Sequence, residues 1–374
     1  DCLNKFKDKF TISYSNYIPE LDKIIYSYRE VLPKNHKWPT DYSKEMTYIC
    51  DIKDDKLINN KSLFKINNIS HNYSITKIDN NYIGIGGVYG ISTKHNCKNQ
   101  NGIFYILKNN INDLILPLSK NKFNILINKN LTFKQNFIKC FDSNISIIKF
   151  NNNYLLYVRH NEGSGKRNTQ IFISKYIDKN YTKFNIVKFD KKLYTYCQFL
   201  FVENNIIIGI YRVYNSILNN SHRLYNKNPR IILTYSYDMV NFKILYTISE
   251  DYYDFITNNY KKEGNYNIFY TNNIKNNIFT KYKIRSGGYI NYEQDNIKEE
   301  SEIKLEILNN INKILINYTI KKDGYIKLYF NDNNNELKEE KQLEGDCTDF
   351  NINIKKNYKY IKILLFNSFI YQIL

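Results

Sequence analysis

The sequence predicts an all-β chain in which a propeller-like region precedes a C-terminal β-sandwich. Tyr (36 residues), Phe (22 residues) and abundant Ile favour strands over helices. Only 13 Gly and 5 Pro are present, so the turns depend on the many Asn and Asp residues, which tolerate left-handed backbone. The rhythm of the strands changes near residue 281, and this change divides the chain into two regions.

The first region contains copies of one strand–turn–strand pattern. They read SHNYSITKIDNNYIGIGGVYG, FDSNISIIKFNNNYLLYVRHN and LYTYCQFLFVENNIIIGIYRV, at residues 70–90, 141–161 and 193–213. Each copy opens with polar or aromatic residues and turns at an Asn pair. Two further segments, 170–187 and 230–247, resemble each other as outer hairpins. Repeats of this length indicate four-stranded propeller blades with variable outer strands.

Aligning the copies on their Asn turns identifies residues that begin equivalent strands. The inner strands of a propeller bring their first residues to one end of the central tunnel, so these positions are candidates for a shared site. The equivalent positions are Ser70, Asp142 and Tyr194, then His71, Ser143 and Thr195, then Asn72, Asn144 and Tyr196.

The second region alternates apolar and polar residues. Runs such as EIKLEIL, KILINYTI and GYIKLYF have the period of two that is typical of a strand with one buried face. We expect short polar turns between them, for example at Lys322-Asp323-Gly324. The pattern predicts an antiparallel β-sandwich over residues 281–374, after a propeller over residues 1–280.

The charge pattern argues against a dedicated nucleic-acid binder. The formal net charge is +18, but the lysines are spread in pairs and no known nucleic-acid motif is present. We therefore expect a basic surface that attracts polyanions, acidic glycans included, without specific nucleic-acid binding.

Neither a metal nor a cofactor is expected from the sequence. The six Cys lack C-x-x-C spacing and the five His are isolated, so no metal-binding pattern is present. We see no signal peptide and no segment able to span a bilayer, and we expect a soluble chain. The compartment and the oligomeric state are left open.

Several motifs occur in an order that resembles one family. FDSN, YLLYVR, KRNTQIFIS and SYDMVNF follow one another along the chain. In this they resemble the five-bladed β-propeller proteins related to glycoside hydrolases of the invertase, levansucrase and arabinanase type. RSGGY at 285–289, LINY at 315–318 and GD at 345–346 resemble the β-sandwich that follows the propeller in uncharacterised proteins of that group. The resemblance implies five blades within residues 1–280.

The resemblance also implies a catalytic arrangement of acids from separate blades. Glycoside hydrolysis needs one carboxylic acid to protonate the leaving oxygen and a second carboxylate to stabilise or capture the oxocarbenium-like centre. Asp142 matches the acid of the second blade and is the predicted catalytic residue. The matching positions 70–72 and 194–198 contain no carboxylate. Asp41, Glu45 or Glu162 could supply one from a loop.

We expect substrate contacts from polar and aromatic side chains around Asp142. Tyr rings suit stacking on sugar rings, and Arg binds hydroxyl or carboxylate groups. Each residue also has a structural interpretation, because aromatic residues commonly pack in cores and Arg commonly pairs between blades. The predicted substrate-binding residues are His71, Asn72, Ser143, Asn144, Arg159, His160, Glu162, Arg167, Tyr194, Tyr196 and Gln198.

Two functions of different classes follow from these features. The first is a carbohydrate-active protein that hydrolyses or binds a glycan at the tunnel mouth. The second is a non-catalytic glycan-binding or structural protein, such as a virion or surface component, on a scaffold that has lost its acids. A second carboxylate within roughly 5–10 Å of Asp142 would favour hydrolysis.

Overall fold

The protein consists almost entirely of β-strands in the part of the chain that the computed structural model describes. The chain divides into two compact units, Asp1–Lys261 with Ile268–Tyr282 and Lys262–Asn267 with Lys283–Leu374. The predicted all-β class is confirmed. The described residues are 10–31, 40–53, 56–65, 73–88, 102–114, 124–128, 144–163, 166–214, 229–251, 254–273, 278–286, 300–307, 313–355 and 357–373.

Antiparallel sheets follow one another along the first unit, and the first three are four-stranded meanders in chain order. A single helical turn, α1 (Ile111–Leu114), lies between β7 and β8. The strands are β1 (Phe10–Ile18), β2 (Lys23–Val31), β3 (Thr40–Lys53) and β4 (Lys56–Lys65); β5 (Ser74–Ile78), β6 (Asn81–Val88), β7 (Gly102–Lys108) and β8 (Asn124–Asn128); and β9 (Ser146–Phe150), β10 (Asn153–Gly163), β11 (Lys166–Ser174) and β12 (Thr182–Ile186).

The fourth and fifth sheets complete this series. In the fourth sheet, a two-residue strand pairs in parallel with the outermost strand of the meander. In the fifth, the other strands all pair with β20. The strands are β13 (Lys188–Phe189), β14 (Tyr194–Glu203), β15 (Ile206–Tyr214), β16 (Arg230–Ser236) and β17 (Asn241–Ser249); and β18 (Asp254–Ile256), β19 (Lys261–Glu263), β20 (Tyr266–Asn273) and β21 (Ile278–Arg285).

Asn pairs form the tight turns of two inner hairpins, as the sequence predicts, whereas Asp79 and Asn80 form the turn between β5 and β6. Asn151 and Asn152 have φ angles of 47° and 59°, and Asn204 and Asn205 have φ angles of 50° and 60°. A two-residue hairpin turn with both φ angles positive matches the twist of the flanking strands, and Asn tolerates this backbone. These turns fix the register of β9 with β10 and of β14 with β15.

Hydrogen bonds join the inner strand of one sheet to the inner strand of the next. The side chain of Asn16 on β1 donates to the Tyr73 carbonyl (2.8 Å) and accepts from the Ile75 amide (3.0 Å) at β5. The Ser74 hydroxyl accepts from the Ile145 amide just before β9 (3.2 Å). All these groups are buried, so each bond fixes one sheet against its neighbour.

The same kind of contact continues to the fourth sheet and returns to the first. The Ser146 hydroxyl on β9 donates to the Gln198 carbonyl on β14 (3.3 Å). The hydroxyls of Ser15 and Thr257 lie 2.8 Å apart, and the Asn258 amide donates to the Ser15 carbonyl (3.2 Å). Because Thr257 and Asn258 directly follow β18, they join the fifth sheet to β1.

One further contact closes the ring of sheets. Between the fourth and fifth sheets, Nε of Arg212 on β15 donates to the Asp254 carbonyl on β18 (3.0 Å). Antiparallel sheets arranged in a ring form a β-propeller, so the predicted propeller class is confirmed. We call each of these five sheets a blade, and the count of five propeller blades stays a prediction. The sandwich class of the second unit and the boundary at residues 280 and 281 stay predictions.

Apolar side chains fill the space between neighbouring blades. Leu155 and Leu156 on β10 are both fully buried, but they belong to different clusters because successive strand residues point to opposite faces. Leu156 shares a cluster with Ile103 of the second blade, whereas Leu155 shares one with Tyr211 of the fourth. Burying each such side chain stabilises the fold by roughly 1.5–3 kcal/mol.

The second unit contains one sheet built around a 19-residue strand, β23. The first half of β23 pairs with β25, its second half pairs with β24, and β26 pairs along both halves. Alternate residues Ile326, Leu328 and Phe330 are fully buried in its core. The strands are β22 (Ser301–Glu306), β23 (Lys313–Asn331), β24 (Leu337–Leu343), β25 (Asp346–Asn353) and β26 (Tyr360–Ile373).

The predicted turn at Lys322-Asp323-Gly324 is wrong, because these residues lie within β23. The pairing of β23 with β26 shifts register between Ile320 and Tyr325, and Asp323 has a positive φ of 63°. A Cβ at position 324 would collide with the backbone of β26, which explains the Gly there. The polar residues therefore mark a local irregularity in one continuous strand.

The motifs that resemble the family's sandwich meet at one point of the second unit. Nη2 of Arg285 donates to the Tyr318 carbonyl (2.7 Å), and its Nε donates to Oδ1 of Asn317 (3.0 Å). The same guanidinium forms an ion pair with Asp346. Arg285 is buried, so these partners satisfy a charge that would otherwise be costly to remove from water.

Candidate functional site

Tyr196 is the extra residue of a β-bulge at the start of β14. Thr195 pairs with Val213, and Cys197 pairs with the next residue back along β15, Arg212. The register of β14 with β15 therefore shifts at Tyr196, which lies opposite no residue of β15. A bulge bends its strand and turns the extra side chain in a new direction. The side chains of Thr195 and Cys197 are buried in the blade, whereas Tyr196 is half-buried. The bulge therefore leaves part of the Tyr196 side chain exposed at the beginning of the inner strand β14.

Three arginines converge on the ring of Tyr196. The guanidinium carbons of Arg159, Arg167 and Arg212 lie 5.3, 5.1 and 5.2 Å from the ring centroid. Each distance is within the range of a cation–π interaction. Arg159 and Arg212 are each 5% exposed, and Arg167 is half-buried. We call these four residues the arginine–tyrosine cluster.

The strand registers explain why Arg159 and Arg167 meet. Arg159 on β10 is opposite Thr169 on β11, and Arg167 lies two residues before Thr169. Diagonal neighbours on paired strands share a face of the sheet, within reach of long side chains. Both guanidinium groups therefore extend from the third blade towards Tyr196 of the fourth.

Arg212 reaches the cluster from the fourth blade and is held by the fifth. Its guanidinium carbon lies 4.0 Å from the ring centroid of Phe255, and its Nε donates to the Asp254 carbonyl. The rings of Tyr196 and Phe255 also contact edge to face, with centroids 5.7 Å apart. These contacts fix the plane of the Arg212 guanidinium.

The arginine charges act on neighbouring titratable groups. Burial raises the pKa of Tyr214 to about 12, although the charges of Arg167 and Arg159 act to lower it. Burial likewise raises the pKa of the Cys197 thiol, against the opposing effect of Arg212 and Arg159. The Tyr214 phenol and the Cys197 thiol are therefore neutral at pH 7.

Concentrating these charges costs free energy. Each guanidinium carbon lies about 5 Å from one point, so any two are at most about 10 Å apart. At an effective dielectric constant of about 20, two like charges at that distance repel by roughly 1–2 kcal/mol.

Gln198, a predicted substrate-binding residue, lies inside the propeller with 1% of its surface exposed. Its Nε2 donates to the carbonyls of Asn144 and Tyr157 (2.9 Å each), and its Oε1 accepts from the Thr169 hydroxyl (3.3 Å). The side chain thus ties the inner strand of the fourth blade to the third blade. A direct sugar contact through Gln198 stays a prediction.

Three other predicted residues are buried in the propeller. His160 is 3% exposed and follows Arg159 in β10, so it points to the opposite face, on the side that packs against the second blade. Asn144 is buried just before β9, and Tyr194 is buried against Tyr214 with ring centroids 5.6 Å apart. Their contacts with substrate stay predictions.

The remaining predicted residues cannot be placed around the cluster. His71, Asn72, Asp142 and Ser143 lie outside the described residues. Glu162 lies in β10, but its side chain is outside what the structure describes. The catalytic role of Asp142 therefore stays a prediction.

The carboxylate of Asp254 lies on β18 next to Phe255 and is held by one residue of the fourth blade and one of the fifth. One of its oxygens accepts from the Ser249 hydroxyl (2.6 Å) and the other from Nδ2 of Asn273 (2.9 Å). The bond from Ser249, at the end of β17, joins the fourth blade to the fifth, and the backbone carbonyl of Asp254 joins the same two blades by binding Arg212. Asp254 thus positions Arg212 through its backbone.

Sequence reasoning identified Arg159, Arg167 and Tyr196 but missed Arg212 and Phe255 as their companions. A pattern that could have found Arg212 is present in the repeats. The pairs Phe150–Asn153 and Glu203–Ile206 close equivalent hairpins. Counted from these pairs, Arg159 and Arg212 occupy the same position of successive blades. No comparable pattern identifies Phe255.

Within the described ranges, no group of three or more His, Cys, Asp or Glu side chains is arranged to hold a metal ion. In the same part of the chain, no helix is long and apolar enough to cross a membrane.

No family model and no curated protein sequence matches the chain. Solved structures similar to it include a Bombyx mori GH32 β-fructofuranosidase, BmSUC1 (TM-score 0.45, 11% identity, covering 98% of this chain and 92% of that one). Another is Zg3597, a family 117 glycoside hydrolase from Zobellia galactanivorans (TM-score 0.45, 10% identity, 75% and 85% covered). A third is an endo-arabinase from Bacteroides thetaiotaomicron (TM-score 0.45, 10% identity, 77% and 95% covered).

These solved structures belong to the class of enzymes that the sequence resembles. Their similarity is one of backbone fold at very low sequence identity, and it does not identify a substrate.

Proposed function

We propose that this protein binds a glycan at the end of the propeller where the inner strands begin. The observation that supports this proposal is the convergence of Arg159, Arg167 and Arg212 on Tyr196. A half-buried aromatic ring offers apolar surface to a sugar ring, and guanidinium groups offer several fixed donors to its oxygens. Such a combination of apolar surface and a few placed polar groups is typical of small-ligand sites.

The chemistry of the cluster favours binding over hydrolysis. Guanidinium groups keep their protons at all physiological pH values, so they cannot serve as general acids or bases. A glycosidase would need two carboxyl groups besides the cluster. Hydrolysis therefore depends on the predicted acid Asp142 and on a second acid, and it is a separate hypothesis.

A glycan array comparing the wild-type protein with Tyr196→Ala tests the proposal. We expect the wild type to bind a defined set of glycans and Tyr196→Ala to lose them, since the variant removes the aromatic surface. Lys243→Gln is the control, because Lys243 is an exposed residue on the outer strand β17. Thermal unfolding of each variant checks that the fold is retained.

The same array separates binding from hydrolysis. Release of reducing sugar by the wild type but not by Asp142→Asn would establish a glycosidase. Binding by both, without release, would establish a non-catalytic glycan-binding protein. An identical array profile for wild type and Tyr196→Ala would contradict the proposed site.

A further inference from the structure

We infer that strand β22 of the second unit binds a second copy of this chain, so that two β22 strands pair antiparallel and the sheet continues from one copy into the other. The interface is independent of the proposed glycan site. Three features of β22 support it: its place at the edge of the sheet, the protection that it lacks, and the order of its charges.

β22 is an edge strand with one open side. It pairs with β26 over six consecutive positions, from Ser301 opposite Leu365 to Glu306 opposite Tyr360. In the part of the chain that the structure describes, no strand pairs with its other side. Alternate residues of an edge strand direct their amide and carbonyl groups away from the sheet, where these groups can bind a further strand.

The other edges of the same sheet are protected, whereas β22 is not. β24 and β25 each contain a bulge, where their pairing with β23 shifts register. β24 also has a charged residue on the core side, because Lys341 lies opposite Leu328. Bulges and inward charges obstruct the addition of a strand. β22 has an unbroken register, and its residues on the core side include Ile303 and Leu305.

The two faces of β22 suit a partner strand with the same pattern. Ile303 and Leu305 pack against the core of the second unit but are only half-buried. A strand added beside them would cover more of their apolar surface, which is favourable. Glu302, Lys304 and Glu306 are exposed on the opposite face. Because side chains alternate between faces, a second β22 can place its apolar residues on the same side as the first.

The charges favour a register in which the twofold axis passes through Leu305. Lys304 then lies opposite Glu306 of the second copy, and Glu306 lies opposite Lys304 of the second copy. On the core side, Ile303 lies opposite Ile307. Opposite charges and apolar pairs across strands both stabilise a sheet. This register therefore joins the two copies by complementary pairs on both faces.

The neighbouring registers are less favourable. An axis at Lys304 would place this residue opposite itself and Glu302 opposite Glu306. An axis at Ile303 would pair Glu302 with Lys304, but it would also bring Glu300 opposite Glu306. Like charges directly opposite each other are destabilising. We therefore expect the axis at Leu305.

Sedimentation equilibrium of the full chain under reducing conditions, at about 5–500 μM, tests the inference. We expect a reversible monomer–dimer equilibrium, because an interface of one short strand is small. Lys304→Glu places two Glu residues opposite each other at two symmetric positions, and the dissociation constant should rise roughly tenfold or more. Lys243→Glu makes the same change of charge at an exposed residue of β17 and should alter the dissociation constant less than about twofold.

A double variant tests the register. Lys304→Glu combined with Glu306→Lys exchanges the two charges, so each again lies opposite its complement. The dissociation constant should return to within about threefold of the wild-type value. Thermal unfolding of each variant checks that the fold is retained, since Lys304 also contacts the Tyr360 ring of its own copy (4.9 Å from Nζ to the centroid).

Three outcomes would overturn the inference. The first is a wild-type protein that stays monomeric over the whole range of concentration. The second is a dimer that Lys304→Glu weakens no more than Lys243→Glu does, because the interface would then lie elsewhere. The third is a dimer that folded Lys304→Glu loses and the folded double variant does not regain, because the proposed charge pairs would then be absent.

Discussion

Replacing Gln198 with Leu is expected to destabilise the propeller, because the Gln198 side chain is the donor for two buried carbonyl groups. Its Nε2 binds the carbonyls of Asn144 and Tyr157 at 2.9 Å each. Leaving a buried polar group without its partner costs roughly 1–3 kcal/mol. Leu has a similar volume and leaves little cavity, so the free energy of unfolding should fall by about 2–6 kcal/mol.

Gln170→Leu provides a matched control in the neighbouring blade. Gln170 is also fully buried, but its Nε2 donates to only one carbonyl, that of Arg159. Its Oε1 is buried and has no hydrogen-bond partner among the described residues. The substitution removes one donor and one unsatisfied acceptor together, and their opposing effects should keep the change within about 1 kcal/mol.

Urea unfolding followed by circular dichroism measures both changes. The midpoint should fall for Gln198→Leu while the slope with denaturant stays constant, because the unfolded state is unchanged. In thermal unfolding, each kcal/mol corresponds to about 2–4 °C for domains of 150–250 residues. Equal losses for the two variants, or a Gln198→Leu variant as stable as the wild type, would refute the reasoning.

Two other predictions concern a turn and a glycine. Although partial burial acts to raise it, hydrogen bonds from Asn241 and neighbouring groups hold the pKa of Asp238 at about 2. A lowered pKa stabilises the folded state above pH 4 and loses this effect as the pH falls from about 4 to 2, so Asp238→Ala should flatten acid unfolding over that range, and an unchanged profile would contradict the assignment. Gly324→Ala should destabilise the second unit by about 2–4 kcal/mol, because its Cβ meets the Asn367 carbonyl. Gly345→Ala, at a φ of 70° with open space, should cost about 1–2 kcal/mol, and thermal unfolding that ranks Gly345→Ala as the more harmful would contradict this.

The class of fold was predictable because it depends on local patterns. Alternating apolar residues and Asn turns such as Asn204–Asn205 report the strands and their hairpins directly. The turn predicted at Lys322-Asp323-Gly324 failed because a bend inside a strand and a turn between strands use the same residue types. Only the continuous pairing of β23 with β26 distinguishes them, and that pairing joins residues far apart in sequence.

The site was predictable only in part. Arg159, Arg167 and Tyr196 were recognised as polar or aromatic residues at strand ends, but their convergence depends on a bulge that no local pattern reveals. Arg212 forms a contact between blades through the Asp254 carbonyl. The structure adds that the same side chain contacts Tyr196, which requires the relative placement of two blades.

The contact between Ser15 and Thr257 joins the first sheet to the fifth and so closes the ring of sheets in the first unit. These hydroxyls are separated by 242 positions in the chain, and ordering a loop of that length costs about 5 kcal/mol of chain entropy. The three intervening sheets can form beforehand from nearer contacts, so we expect the contact that closes the ring to form late in folding. A circular permutant whose ends lie between two other blades would keep every contact between blades. It would change only which of these contacts closes the ring. The stability of the ring should therefore depend on the contacts between neighbouring blades, and little on the order in which the blades follow one another along the chain.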